Sequence, residues 1–193
     1  ACGIDAMVHA LEAYISKDAS PFSDAMAEKA LELIGKNIRR YVADRTDIEA
    51  AEAMITGSLF AGIAFSWARL GDVHAMSHPV SAYFDVPHGV ANAILLPTIV
   101  EYNALADRGK YLKLFNYISL TPASEAEFEP FMLVDLLTEL NEQLGIPGSL
   151  GEVGVTADKF DAMADDAMKS GNIAVNPRST TKKDVLSLYE KAL

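Results

Sequence analysis

The stretch HAMSHPVSAYFDVPH, residues 74–88, holds three of the four histidines of a 193-residue chain. His74 and His78 are four residues apart, so on a helix they lie on one face, roughly 6 Å apart along the axis. On one unbroken helix His88 would lie roughly 21 Å beyond His74, too far to share a site. Pro87 disfavours the α conformation at Val86, so the helix should end there and the chain should turn. The spacing predicts two histidines on one helix and a third that a break brings back.

The fourth histidine, His9, follows Asp5 by four residues, again on one helical face. A lone histidine on an apolar helix is usually a packed, hydrogen-bonded side chain. Here all the histidines fall into two compact groups, and an ionised Asp5 among apolar neighbours needs a cation or strong donors. The residues favour a divalent metal site, with zinc, iron, nickel and cobalt all compatible. Its ligands would be Asp5, His9, His74 and either His78 or His88, and the histidine left over would be a natural proton shuttle.

Composition limits the partners. The net charge is −11 and the sequence pI is about 4.7, without a basic stripe, so nucleic acid and anionic membranes are poor candidates. The lone Cys2 excludes an internal disulfide and a thiolate metal cage, and it fits a reducing cytoplasm. The longest uncharged apolar run, residues 54–68, is too short to span a bilayer, and no signal peptide is recognisable.

The fold class is predicted to be all-α, one helical domain over residues 1–193, because no segment alternates with period two. Helices are expected at 3–16, 21–42, 47–68, 72–84, 90–102, 107–118, 128–144, 157–169 and 182–192. The predicted N-terminal caps are Ser20, Thr46, Thr156 and Thr181, with Gly171 ending the helix over 157–169.

The helix over 47–68 is almost uncharged after Glu52. A helix that is apolar all round should be buried at the centre of the domain. Gly57 and Gly62 would let a neighbouring helix approach closely. Pro97 is a candidate kink in the helix over 90–102. The apolar surfaces at 54–68 and 90–100 also exceed what a small domain readily buries, which favours a homo-oligomer.

Two long motifs resemble the iron-containing (group III) alcohol dehydrogenases: GIDAMVHALEAY at 3–14 and AGIAFSWARLGDVHAMSHPVSAYFDVPHGVANAILLP at 61–97. Shorter matches are SPFSDAMAEKALELI at 20–34, GIP at 145–147 and NPR at 176–178. The resemblance covers almost the whole chain. It implies the C-terminal helical half of a fold like that of dehydroquinate synthase, here a single metal-binding, catalytic domain.

The resemblance also implies roles for individual residues. The metal ligands would be Asp5, His9, His74 and His88. His78 would be the histidine that does not bind metal and lies near the nicotinamide and the substrate, and Phe65 would lie beside the nicotinamide. The implied reaction is reversible oxidation of a primary alcohol to an aldehyde with NAD or NADP. Fe²⁺ is the family expectation, with Zn²⁺ or another divalent ion able to replace it, and it would polarise the alcohol oxygen.

The sequence departs from the family in two respects. Trp67 and Arg69 stand where a small polar residue and a glycine are more usual; both could reshape the substrate pocket, although Trp67 could also be core and Arg69 could neutralise a helix C-terminus. No glycine-rich phosphate loop follows a strand pattern, so the N-terminal dinucleotide-binding domain of the family is absent from this chain. We expect the chain to be part of a longer protein, to hold metal, and to be inactive alone.

Three alternatives stay open. A glycerol-dehydrogenase-like or other polyol dehydrogenase, or a dehydroquinate-synthase-like lyase, would share the fold but typically uses three protein ligands. An all-α phosphohydrolase would need an adjacent His-Asp pair, which the chain lacks. A non-catalytic helical module would use its histidines for packing alone.

Overall fold

The computed structural model describes residues 1–193 as helices and connecting turns, without a β-strand. The α-helices are α1 (Cys2–Ile15), α2 (Pro21–Ala43), α3 (Ile48–Ala68), α4 (Asp72–Phe84), α5 (His88–Asn103), α6 (Tyr111–Ile118), α7 (Pro130–Gln143), α8 (Phe160–Met168) and α9 (Lys182–Ala192). Short 3₁₀ turns lie at Ala104–Ala106, Gly151–Val153, Ala157–Lys159 and Ile173–Val175. The all-α prediction is therefore confirmed.

Helix α1 is the centre of the packing. It contacts α2, α3 and α5, and most of its side chains are buried. Around it, α2 packs along α3, α4 packs against α5 and α8, and α7 and α9 cover other faces of α5. One continuous core of 46 buried residues draws on every α-helix. Helix α5 packs on both α1 and α4, and these three helices carry the candidate ligands.

The predicted ends of α2 and α9 are confirmed. Ser20 accepts a hydrogen bond from the backbone N–H of Ser23 and Pro21 occupies the first turn; Thr181 and Asp184 form a reciprocal capping box. Two other caps were predicted wrongly. Asp47, not Thr46, accepts the N–H of Ala50 at the start of α3.

Thr156 makes no capping bond. Its hydroxyl donates to Asp158, and a 3₁₀ turn precedes α8. Gly171 does not take the left-handed conformation of a helix-ending glycine. Helix α5 begins at His88, two residues earlier than predicted, and continues through Pro97; α6 begins four residues later than predicted.

Helix α3 contradicts the prediction of burial at the centre. Its buried residues form one face of mostly small side chains, whereas Ile48, Ile55, Leu59 and Trp67 are 62–73 % exposed. With 21 residues it is also long and apolar enough to cross a membrane by length and composition, contrary to the sequence argument, although the same test is passed by helices of folded soluble domains. Here α3 packs on α1 and α2.

The two glycines of α3 behave differently. A Cβ at Gly57 would lie 2.7 Å from Cγ1 of Ile34, so the predicted close approach of a neighbouring helix is confirmed there, and that helix is α2. A Cβ at Gly62 would meet no atom within 4 Å, so the same prediction for Gly62 is wrong.

Candidate metal centre

Three helices bring ligand-type side chains to one place. Asp5 lies in the first turn of α1, His74 in the first turn of α4, and His88 is the first residue of α5. Oδ1 of Asp5 is 3.7 Å from Nε2 of His74 and 3.9 Å from Nε2 of His88. One ligand atom from each of the three residues lies within 4.8 Å of the other two. We call Asp5, His74 and His88 the ligand triad.

The predicted break between His74 and His88 is present. Helix α4 ends at Phe84, and Asp85 adopts a left-handed conformation with φ 55° and ψ 26°. Aspartate tolerates this conformation better than most residues. Pro87 is the N-cap of α5, so the chain reverses within three residues. The imidazole rings of His74 and His88 consequently lie 5.3 Å apart.

His9 adjoins the triad without joining its closest cluster. Its Nδ1 lies 2.8 Å from the backbone oxygen of Asp5 and 3.8 Å from Oδ2 of that residue. Its ring lies 4.4 Å from the ring of His74 and stacks on Phe65 at 4.7 Å. Because Nδ1–H donates to a main-chain carbonyl, Nε2 is the nitrogen of His9 that is free to bind a metal.

His78 lies on the open side of the same group. Its side chain is exposed, and its ring stacks on His88 at 5.1 Å with an interplanar angle of 17°. It lies 6.1 Å from the ring of His74. The structure thus gathers all four histidines and Asp5, with His78 the most accessible of them.

Two further polar residues belong to this group, and neither was predicted. Glu12 is 3 % exposed and places Oε2 2.6 Å from Nδ1 of His74. Asn92 is fully buried and donates from Nδ2 to Oδ1 of Asp5 at 2.6 Å. Spacing carried a signal for both: Glu12 follows Asp5 by seven residues on the face of α1 that also carries His9, and Asn92 follows His88 by four.

The charges of the site are strongly coupled. Burial alone would raise the pKa of Asp5, but His74, His9 and Asn92 together hold it at about 2. Burial would lower the pKa of His74, but Asp5 and Glu12 raise it to about 9. The carboxyl groups of Asp5 and Glu12 therefore favour a positive charge at this position.

The other histidines are biased towards the neutral form. Burial, reinforced by the charge of His74, lowers the pKa of His9 and of His88. Burial and the neighbouring His88 and His74 lower the pKa of His78. Neutral imidazole is the form that coordinates metals, so three of the four rings are already in the binding form at neutral pH.

The position of Asn92 tests whether a cation fits. Its amide nitrogen lies 3.1 Å from Nε2 of His74 and 3.1 Å from Nε2 of His88, besides the hydrogen bond to Asp5. Nδ2 of Asn92 therefore lies among three convergent ligand-type atoms, while Oδ1 of Asn92 is buried without a partner. Imidazole and carboxylate are the donor set of zinc and ferrous sites, so the residues present fit a divalent transition metal.

Comparison with known proteins agrees with this donor set. Residues 1–193 match the family described as "Fe-containing alcohol dehydrogenase family, C-terminal". The chain belongs to the iron-containing alcohol dehydrogenase family. The resemblance found in the motifs at 3–14 and 61–97 is thereby confirmed, and the family membership implies a metal.

Relatives within this iron-containing family include 1,3-propanediol dehydrogenase of Citrobacter freundii, 40 % identical over 100 % of the chain and 50 % of the relative. Lactaldehyde reductase of Escherichia coli (strain K12) is 38 % identical with the same coverage. A crystal structure of 1,3-propanediol oxidoreductase superimposes with a TM-score of 0.93 at 38 % identity, over 99 % of this chain and 50 % of that one. The chain therefore spans about half the length of the curated relatives it matches.

The two positions that depart from the family pattern lie at the end of α3. Trp67 is 68 % exposed, with its ring 5.5 Å from that of Phe22 in an edge-to-face arrangement, so the alternative that Trp67 is core is wrong. Arg69 is the C-cap of α3 and has φ 62° and ψ −170°, a conformation that favours glycine. Its guanidinium lies against Gly171.

Proposed function

We propose that this chain is the metal-binding half of an NAD(P)-dependent alcohol dehydrogenase. The observation that carries the proposal is the convergence of Asp5, His74 and His88 from three helices onto one position. His9 is the proposed fourth ligand through Nε2, since its Nδ1 is engaged with a backbone oxygen. Fe²⁺ is the proposed ion, with Zn²⁺ as the alternative that the same donors accept.

A divalent ion in this position would supply Lewis-acid polarisation of an alcohol oxygen, which lowers the pKa of the alcohol. The protein's own contribution is to hold the proposed metal-binding side chains in place before the substrate binds. His74 is 1 % exposed and is held between Asp5 and Glu12, and its backbone belongs to the core helix α4. Metal-binding side chains that are already held rigidly need little rearrangement during the reaction.

His78 is the proposed catalytic proton carrier. Its side chain is exposed and its ring stacks on His88. Partial desolvation and the neighbouring His88 and His74 lower the pKa of His78, which favours the neutral ring. A neutral imidazole at the open side of the site can take up the alcohol proton on a ring nitrogen and release it to solvent. The same exposed ring is proposed to lie near the nicotinamide.

Phe65 is the proposed apolar surface for the nicotinamide ring. One face of its ring stacks on His9 at 4.7 Å, and the residue lines a shallow depression on α3 together with Gly62 and Trp67. A flat, partly apolar ring packs well against such a surface. The dinucleotide itself would be held by an N-terminal domain of the complete enzyme, since the chain contains no phosphate-binding glycine loop.

The proposed substrate is a small primary alcohol or diol and the corresponding aldehyde. The names of two relatives, 1,3-propanediol dehydrogenase and lactaldehyde reductase, support a small substrate that carries a second oxygen. The polyol dehydrogenase alternative is therefore retained as a choice of substrate within the same chemistry.

The test is metal stoichiometry of the purified chain, loaded anaerobically with Fe²⁺ or with Zn²⁺ and measured by elemental analysis. We expect one equivalent in the wild type and none retained by Asp5→Asn or His74→Ala. A wild-type chain that retains no metal would refute the proposal. NADH-dependent or NADPH-dependent aldehyde reduction should require the nucleotide-binding half; robust turnover by the 193-residue chain alone would refute that part.

A further inference from the structure

A buried carboxylate lies behind the metal centre, on the far side of His74 from the ligand triad. Glu12, on α1, is 3 % exposed and forms no ion pair with a lysine or arginine. Its Oε2 is 2.6 Å from Nδ1 of His74, and its Oε1 accepts the backbone N–H of Val73 at 2.7 Å. Both oxygens are therefore used by the first turn of α4.

We propose that Glu12 is a positioning residue that keeps a proton on Nδ1 of His74 and so presents the lone pair of Nε2 to the metal. The inference rests on the proposed metal centre. Only the unprotonated nitrogen of a neutral imidazole can bind a metal, and the hydrogen bond of the other nitrogen decides which one that is. In this structure Nε2 is the nitrogen that points towards Asp5, at 3.7 Å from Oδ1.

The hydrogen bond between Glu12 and the backbone of Val73 supports the same tautomer of His74. The N–H of Val73 can only donate, so Oε1 has to be an acceptor. A carboxylate can offer Oε2 as a second acceptor to His74. An amide cannot: if its oxygen faced Val73, its NH₂ group would face Nδ1 of His74 and drive the proton to Nε2, the nitrogen needed by the metal.

The surroundings leave room for this arrangement. Gly71 immediately precedes α4, and a Cβ there would lie 3.0 Å from Oε1 of Glu12 and 2.9 Å from Oδ1 of Asn176. Asn176, from the NPR segment, accepts the N–H of Asp72, the first residue of α4. Glu12 and Asn176 thus hold two successive N–H groups of α4, and Glu12 alone also reaches the imidazole.

The experiment compares Glu12→Gln with Glu190→Gln, the same chemical change at an exposed glutamate of α9. Zinc affinity is measured by competition with a chelating dye. We expect Glu12→Gln to bind zinc about 10–100-fold more weakly than wild type, as loss of an outer-shell partner usually does, and Glu190→Gln to match wild type within about twofold. Unchanged affinity in Glu12→Gln, even with a lowered melting temperature, would mean that Glu12 only anchors α4 and would overturn the inference.

A second measurement needs no variant, so it holds even if Glu12→Gln fails to fold. Nitrogen-15 NMR of zinc-loaded wild type reports which nitrogen of His74 carries the proton. We expect the proton on Nδ1 and the metal on Nε2; metal on Nδ1 would overturn the inference. If the wild-type chain binds no zinc at all, the metal centre itself fails, which is a different result from binding that is insensitive to Glu12.

Discussion

Helices α3 and α5 are similarly apolar in sequence but are placed differently in the fold. Helix α5 contacts α1, α4, α7 and α9, and none of its large hydrophobic side chains is exposed. Helix α3 packs on α1 and α2 by one face and leaves large side chains such as Ile55 and Leu59 outside. Apolar content alone therefore does not indicate burial; the size of the residues on each face is the better indicator.

The pattern of small residues was visible in the sequence. The buried positions of α3 recur at helical spacing and are Ala50, Met54, Gly57, Ala61, Ala64 and Ala68. Such a stripe lets α1 and α2 come close, so the larger residues are left on the opposite face. In α5 the large residues themselves, including Leu95 and Ile99, face the core.

The largest effect expected from this difference is on stability. Leu95→Ala in α5 removes a fully buried side chain and should lower the free energy of unfolding by about 3 kcal/mol. Leu59→Ala in α3, at 62 % exposure, should change it by less than about 0.5 kcal/mol. Urea unfolding of both variants with metal removed by a chelator is the measurement. Equal losses would show that the outer face of α3 is covered in solution.

The next effect concerns the metal site, to which α5 contributes a proposed ligand and α3 an aromatic neighbour. His88→Ala should weaken metal binding by more than the roughly 100-fold upper figure for loss of an outer-shell partner. Phe65→Leu keeps an apolar side chain beside His9 and should weaken binding by less than about tenfold. Competition titration with a chelator measures both. The contrast between the helices would be lost if the two variants were equally impaired.

The smallest effect separates the two faces of α3 itself. Gly57→Ala forces a Cβ against Ile34 of α2 and should destabilise the chain by about 1 kcal/mol or more. Gly62→Ala meets no atom within 4 Å and should stabilise it by about 0.5–1 kcal/mol, because alanine favours the helix. The melting temperatures of the two variants and the wild type, from thermal unfolding, measure both effects. A stabilised Gly57→Ala would disprove the close approach of α2.

The sequence predicted much of the fold because its signals are local. Helical periodicity, the cap at Ser20 and the break before His88 each depend on residues a few positions apart. The cap at Thr46 was predicted wrongly because the next residue, Asp47, accepts the N–H of Ala50 instead. The cap at Thr156 was predicted wrongly because its hydroxyl is engaged with Asp158 and accepts no backbone N–H. Burial of α3 could not be predicted from composition, since it depends on which helices cover each face.

In the candidate site too, the sequence predicted what depends on local spacing and missed what depends on tertiary contacts. Asp5 and the histidines were found by spacing and by resemblance, and the structure brings them together. Their assignment as ligands stays a prediction until metal is measured. Glu12 and Asn92 were missed because glutamate and asparagine are common on helices, and only the three-dimensional contacts distinguish these two from solvent-facing ones. The expected homo-oligomer likewise stays a prediction.

The placement of Asp5, His9 and Glu12 on one face of α1 has a consequence for length variation. Successive helical residues are rotated by about 100°, so one residue inserted or deleted between Asp5 and Glu12 would turn one end of this set away from the other. The three-residue turn after Phe84 fixes His88 against His74 in the same way. The exposed connection between α6 and α7 carries no such requirement, so insertions and deletions should be tolerated there and excluded from the segments 5–12 and 74–88.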